Sequence, residues 1–125
     1  MSVALVLVTH GAIGAALLDQ ARLILDAGMS EVVVYGLDEA DRDHDSALGE
    51  AIRGADSGAG VLVLTDLPGA TPCNLAVRQA GHGAHVISGL NLPMLIRAWN
   101  YRDRPLDELT DLAMEGGCNA IQRSG

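Results

Sequence analysis

Four short aliphatic runs alternate with segments of helical periodicity, and this alternation constrains the fold more than any other feature of the sequence. The runs cover residues 3–8, 31–36, 60–65 and 85–88. Near-continuous runs of Val, Leu and Ile are typical of parallel strands that are covered on both faces. Strands separated by helices favour right-handed βαβ units. We therefore expect a doubly wound α/β fold, in which a four-stranded parallel sheet of order 2-1-3-4 carries helices on both faces.

Helical patterns occupy the segments between and after these runs, at residues 12–27, 45–55, 73–80, 95–99 and 106–116. Gly28 is expected to mark the end of the first helix. The positions predicted to face inward on this helix are Ile13, Ala16, Leu17, Ala21, Ile24 and Leu25. A chain of 125 residues without internal repeats or linkers has the size of one domain. We expect residues 1–125 to form that single domain.

The charge and hydropathy of the chain exclude several classes of protein. The net charge is −8, and all eight basic residues are arginines, whereas a nucleic-acid interface needs clustered positive charge. No apolar stretch approaches the ~20 residues that span a bilayer. The first aliphatic run lacks the preceding basic segment of a signal peptide. We therefore expect a cytoplasmic protein that binds no nucleic acid.

No arrangement of cysteines or carboxylates in the sequence indicates a metal site. Cys73 and Cys118 are far apart and belong to no CxxC motif, so neither a zinc site nor a thioredoxin-type motif is predicted. Four aspartates lie at positions 38, 41, 43 and 45 in an acidic segment, but they lack the spacing and the glycine of an EF-hand loop. We expect the protein to hold no metal.

A histidine and an aspartate follow the first and third strands, which are neighbours in the predicted sheet. Ligands and chemistry collect at the carboxyl ends of strands 1 and 3, where the strand order reverses. His10 and Asp66 both lie there, on strands about 4.8 Å apart. A carboxylate on one imidazole nitrogen fixes the tautomer and leaves the other nitrogen free to react. With no GxSxG elbow and Cys73 expected to be buried in a helix, His10 is the candidate nucleophile and phosphoryl transfer the favoured chemistry.

The residues around this pair are small and suit an anion. Gly11 allows close approach of the backbone, and Gly69, Ala70 and Thr71 form a loop that leads into the N-terminus of a helix. Free backbone N–H groups at such a terminus bind phosphate. The hydroxyl of Thr71 has two predicted roles, a contact with a phosphoryl oxygen or a cap on the helix with Pro72 as the first helical residue.

The remaining histidines are not predicted to take part in chemistry. His44 follows the acidic segment and is expected to be exposed. His82 lies between two glycines in a turn, and His85 begins a strand, so structural roles are expected for both.

Three segments resemble the mannose-family enzyme IIA domain of the bacterial phosphoenolpyruvate-dependent sugar phosphotransferase system (PTS). They are "VLVTHG" at strand 1, "VLVLTDLPGATPCN" around strand 3 and "GLNLPMLIRA" after strand 4. The resemblance implies a four-stranded parallel α/β fold that is commonly homodimeric. It also implies a phosphocarrier without cofactor, in which His10 accepts a phosphoryl group from HPr and passes it to an enzyme IIB, and through IIB to a membrane permease. Asp66 matches the aspartate that orients this histidine, and Thr71 matches a small hydroxyl residue beside it.

The sequence departs from the family pattern at two points and leaves alternative functions open. Cys73 stands where many members carry an aromatic residue, and "GGCNAIQRSG" contains no obvious fifth strand for exchange between subunits. One alternative is the phosphocarrier subunit of dihydroxyacetone kinase, although "DLPGATPCN" fits the sugar-transport branch better. Another is a stand-alone regulatory phosphoprotein of the same relay. A histidine phosphatase is disfavoured, because Thr9 stands where that class needs an arginine.

Overall fold

The computed structural model describes residues 1–38 and 43–125 and contains a four-stranded sheet between two helical layers. Its elements in chain order are β1 (Ala4–His10), α1 (Ile13–Leu25), β2 (Val33–Leu37), α2 (His44–Ala55), β3 (Val61–Thr65), α3 (Thr71–Ala80), β4 (Ala84–Ser88), α4 (Leu92–Asn100) and α5 (Leu106–Asn119). The strand order is β2-β1-β3-β4, and each neighbouring pair is parallel. The predicted doubly wound α/β fold and its order 2-1-3-4 are confirmed.

Alternation along the strands divides the core into two clusters, one on each face of the sheet. Leu5 and Leu7 point to the face that α1, α4 and α5 cover. Val6 and Val8 point to the opposite face, which α2 and α3 cover. Because both faces are buried, β1 and β3 carry aliphatic residues at every position before their last polar residues, and this is why their sequences show no polar alternation.

The predicted inward face of the first helix is confirmed only in part, because Ala21 is buried and Leu17 and Leu25 pack against the core, whereas the other three predicted positions do not. Its buried residues are Gly14, Leu18 and Ala21, whereas Ile13 is 46% and Ile24 is 59% exposed, and Ala16 is also exposed. The cause is the close approach of α1 to β1 at Gly14, where an added Cβ would lie 3.2 Å from Oγ1 of Thr9. This contact rotates Ile13 and Ile24 into solvent, so the predicted inward face was wrong at these positions.

The ends of several elements also differ from the predicted ones. The first helix ends at Leu25, and Asp26 in the left-handed conformation caps it, so Gly28 is not its stop. The first strand extends to His10, because residues 9 and 10 continue the ladder with Gly36 and Leu37 of β2. The fourth helix begins early because the Asn91 side chain accepts a hydrogen bond of 3.0 Å from the N–H of Met94.

Asp43 and Asp45 of the acidic segment make hydrogen bonds that position α2. Asp43 caps α2 by accepting a hydrogen bond from the N–H of Ser46, and Asp45 accepts hydrogen bonds from Arg78 and Gln79. Asp41 lies outside the described residues. Within residues 1–38 and 43–125 no three histidine, cysteine or acidic side chains come together as metal ligands do. In the same part of the chain, no helix combines the length and the apolar character needed to cross a membrane.

Candidate functional site

His10 and Asp66 meet at the carboxyl edge of the sheet. His10 is the last residue of β1, and Asp66 directly follows β3. Nδ1 of His10 lies 2.7 Å from Oδ2 of Asp66, and the backbone N–H of His10 donates to the same oxygen at 3.0 Å. The His10 side chain is 52% exposed, whereas that of Asp66 is only 10% exposed. A partner can therefore reach the ring, while the carboxylate acts through the ring.

The ionisation of Asp66 decides which nitrogen of His10 is free. Partial burial works to raise the pKa of Asp66, but hydrogen bonds from the ring and the backbone N–H of His10 outweigh it, and the pKa lies below its usual value. An ionised carboxylate can only accept hydrogen bonds. Nδ1 of the neutral ring must therefore carry the proton, and Nε2 carries the lone pair.

The turn that follows His10 is held against the edge strand β2. Gly11 adopts a positive φ of 44°, and its N–H donates to the carbonyl of Leu37 at 2.7 Å. On the same strand, a Cβ at Gly36 would overlap the carbonyl oxygen of Gly11. Glycines at 11 and 36 therefore allow the backbone of this turn to lie directly on β2, while the contact of Gly11 with an anion stays a prediction.

The hydroxyl of Thr9 bonds to the same turn from the other face of the sheet. Thr9 is fully buried. Its Oγ1 accepts a hydrogen bond of 2.9 Å from the N–H of Gly14 and donates at 3.2 Å to the carbonyl of His10. Ala12, the residue before α1, has no side chain that could cap the helix, so the hydroxyl of Thr9 supplies an acceptor for the first turn of α1.

The loop of small residues, Gly69, Ala70 and Thr71, follows Asp66 at the same edge of the sheet. The N–H of Ala70 donates to the Leu67 carbonyl at 3.4 Å. This amide is therefore engaged within the loop, and the anion contacts of Gly69, Ala70 and Thr71 stay predictions.

The structure corrects the predicted capping of α3. The helix begins at Thr71 itself, with Ala70 as its N-cap residue, and Pro72 is the second residue of the helix. No side-chain hydrogen bond caps this end, so the capping role predicted for Thr71 was wrong. Its side chain is exposed, and contact with a phosphoryl oxygen stays a prediction.

Cys73 is half-buried, not buried as expected. Its Sγ lies 3.0 Å from Oγ of Ser88, which in turn accepts a hydrogen bond of 2.9 Å from Thr65. The Ser88 hydroxyl and the Gly69 backbone lower the pKa of the thiol against the opposing effect of burial. Cys73 thus joins the ends of β3 and β4 to α3.

The hydrogen bonds of His44 and His85 do not involve His10 or Asp66. His44 is half-buried, and its Nδ1 lies 2.7 Å from the hydroxyl of Tyr35, so the predicted exposure was wrong. His85 lies 3.0 Å from the hydroxyl of Thr110, as expected for a structural residue, and His82 is exposed.

Thr9 and Gly36 are the two residues at the site that sequence reasoning missed. The signal for Gly36 was present, since a glycine inside an aliphatic strand often marks close approach of another backbone. Its neighbour across the ladder, Thr9, gave a weaker signal, because a buried hydroxyl must find partners but the sequence does not tell which ones.

The sequence matches a known family over most of its length. Residues 4–113 match the mannose-type IIA (EIIA-man) family, described as "PTS system fructose IIA component". The chain belongs to this family, and the resemblance that its motifs suggested is confirmed. This membership places it among the components of the PTS.

Relatives and solved structures agree with this assignment. The chain is 34% identical to the "PTS system mannose-specific EIIAB component" of Escherichia coli K12, over 98% of this chain and 39% of that protein. It spans about two fifths of that relative's length. Among solved structures, the mannose/sorbose-specific IIA subunit from Enterococcus faecalis has a TM-score of 0.89 and 27% identity, covering 100% of this chain and 96% of the other. The EIIA component from Streptococcus agalactiae has a TM-score of 0.80 and 26% identity, covering 97% and 96%.

Proposed function

We propose that the protein is a phosphocarrier of the sugar PTS, in which His10 takes a phosphoryl group from phospho-HPr and passes it to an enzyme IIB. The observation that carries this proposal is the accessible ring of His10, whose Nδ1 lies 2.7 Å from a nearly buried carboxylate. Membership of the IIA family supports the same role, because the matched relatives are PTS components.

Nε2 of His10 is the nitrogen that takes the phosphoryl group. Its lone pair attacks the phosphorus of the phosphohistidine on HPr, and a new N–P bond forms. The N–P bond of the donor breaks, and its electron pair stays on the donor imidazole. The His10 ring, still protonated at Nδ1, then carries a positive charge that the ionised Asp66 stabilises.

The second transfer reverses this change of charge. A histidine or cysteine of the IIB domain attacks the phosphorus, and the electron pair of the N–P bond returns to Nε2 of His10. Thr71, with its hydroxyl exposed at the start of α3, is proposed to contact a phosphoryl oxygen. Gly11, Gly69 and Ala70 keep bulky side chains away from the phosphoryl group. No metal or cofactor takes part in either step.

The setting of the reaction is proposed from the same family membership. Residues 1–125 form a single domain that works in the cytoplasm and assembles as a homodimer. It binds HPr and IIB in turn, and IIB passes the phosphoryl group on at a membrane permease. No nucleic acid takes part.

Phosphorylation by the purified relay tests the proposal. The protein is incubated with labelled phosphoenolpyruvate, enzyme I and HPr, and we expect acid-labile label on the wild type and none on His10→Ala. His82→Ala is the matched control, because His82 is exposed in a turn and its loss should leave labelling unchanged. Absence of label on the wild type, or label retained by His10→Ala, refutes the assignment.

A further inference from the structure

The buried hydroxyl of Thr9 holds the turn that carries His10, although it does not touch the imidazole. Even-numbered residues of β1 such as Val8 point to the face covered by α2 and α3, while Leu7 points to the opposite face. By this alternation His10 and Thr9 project from opposite faces of the sheet. Thr9 has no exposed surface, so it cannot meet a phosphoryl donor. Any effect of Thr9 on transfer must pass through the backbone.

Two hydrogen bonds of Thr9 enclose the turn at both ends. The hydroxyl proton goes to the carbonyl of His10, and the oxygen accepts the N–H of Gly14. A third fixed point is the hydrogen bond from Gly11 to the Leu37 carbonyl on β2. The segment from His10 to Gly14 is therefore held by Thr9 on one face of the sheet and by the edge strand β2 beside it, and these contacts fix the backbone that carries the His10 ring.

We propose that Thr9 is a positioning residue for phosphoryl transfer: its hydroxyl fixes the backbone of residues 10–14 and thereby holds the His10 ring in line with Asp66. The effect of Thr9 on the rate of phosphoryl transfer rests on the proposed function. Its structural consequence, a fixed tautomer of His10, holds whether or not the ring carries phosphate. Loss of the hydroxyl frees the turn and lets the ring leave Oδ2 of Asp66.

The test compares Thr9→Val, which keeps the shape and removes the hydroxyl, with Thr9→Ser, which keeps the hydroxyl. Thr110→Val is the matched control. The hydroxyl of Thr110 also bonds to a backbone carbonyl, that of Leu106, and to a second partner, His85. These bonds of Thr110 lie near the start of β4, at the edge of the sheet opposite to the edge that carries His10.

We expect Thr9→Val to lower the maximal rate of phosphoryl acceptance by about 10- to 100-fold, as misplacement of a reacting group by ~1 Å does. The concentration of phospho-HPr that gives half of this rate should stay unchanged, because the docking surface is intact. Thr9→Ser should restore the rate, and Thr110→Val should not change it. A merely structural loss would lower the stability of Thr9→Val and Thr110→Val alike without this selective fall in rate.

Nitrogen NMR of the imidazole rings gives the readout that does not depend on phosphate. In the wild type, His10 should be protonated at Nδ1 when neutral, with its signals assigned by their loss in His10→Ala. In Thr9→Val we expect a mixture of the two neutral tautomers. If the wild type takes no label while this shift in tautomer occurs, the phosphocarrier function fails and the positioning role stands.

A second variant tests the same turn should Thr9→Val not fold. Gly36→Ala places a Cβ against the carbonyl oxygen of Gly11 from the exposed side of β2. It should reproduce the fall in rate and the mixture of tautomers, whereas Gly28→Ala, where a Cβ meets nothing within 4 Å, should not. Wild-type transfer and a wild-type tautomer in Thr9→Val or in Gly36→Ala overturn the proposal, and so does a Thr9→Ser variant as slow as Thr9→Val.

Discussion

Replacement of Asp66 by asparagine should slow phosphoryl transfer by an amount that the geometry allows us to work out. Oδ2 of Asp66 accepts two hydrogen bonds from His10, one from the backbone and one from the ring. Only the ring bond gains strength when His10 becomes positively charged. Two opposite charges about 4 Å apart attract by roughly 1 kcal/mol in water and roughly 4 kcal/mol near a protein surface, and the 52% exposure of the His10 side chain keeps this pair toward the lower value. Asparagine therefore loses about 1–2 kcal/mol at this step.

Since ~1.4 kcal/mol corresponds to a tenfold change in rate, the expected decrease is about 5- to 30-fold. Rapid-quench measurement of label transfer from phospho-HPr to Asp66→Asn gives this rate directly. Asp107→Asn is the control, because Asp107 also lies beside a histidine, at 3.3 Å from Nε2 of His85, but is 93% exposed. It should transfer at the wild-type rate. A wild-type rate in Asp66→Asn would show that the carboxylate does not stabilise the charge on His10.

Two further predictions concern stability. Gly116→Ala should lower the free energy of unfolding by about 1–3 kcal/mol in urea denaturation, because its Cβ would lie 2.7 Å from Cβ of Arg97 and force α4 away from α5. Gly54→Ala, with nothing within 4 Å, should instead raise it by about 0.4–1 kcal/mol; equal effects of the two substitutions would contradict the packing argument. Burial works to raise the pKa of Asp66, but hydrogen bonds outweigh it and hold this pKa below 3.8. The ionised Asp66 therefore contributes fully to the free energy of unfolding above pH 3.8, and this contribution is lost as the pH falls through the lowered pKa. The difference in unfolding free energy between the wild type and Asp66→Asn should therefore shrink in acid, and a difference that stays constant there would exclude this linkage.

The strand order and the meeting of His10 with Asp66 could be predicted because both depend on where aliphatic runs end. A buried parallel strand needs apolar residues on both faces, so its end is visible in the sequence as the first polar residues after the run. Right-handed crossovers then leave few possible orders for four strands. Once β1 and β3 are neighbours, the residues at their carboxyl ends must lie close together.

The orientation of α1 could be predicted only in part, because apolar residues cover almost all of its circumference. Ile13, Leu17, Leu18 and Ile24 all compete for the inward face, and periodicity alone does not choose among them. The orientation is set by Gly14, which packs on the Thr9 side chain. The partnership of His44 with Tyr35 was hidden for a related reason, since it depends on how α2 lies over β2.

The hydrogen bond from the His10 backbone to Asp66 explains why an aspartate suits this position. The N–H of Ala4 donates to the Gly60 carbonyl on the β3 side. Because the direction of the N–H groups along a strand repeats every two residues, every second residue of β1 after Ala4 also points its N–H toward β3. At His10 this direction meets Asp66, where β3 has already ended. The carboxylate takes the place of the missing carbonyl and accepts the N–H at 3.0 Å. Because the same oxygen also bonds to Nδ1, the end of the sheet ladder and the orientation of the ring are set by one atom. A longer acid would carry that oxygen past the ladder position, and an amide would supply the acceptor without the charge.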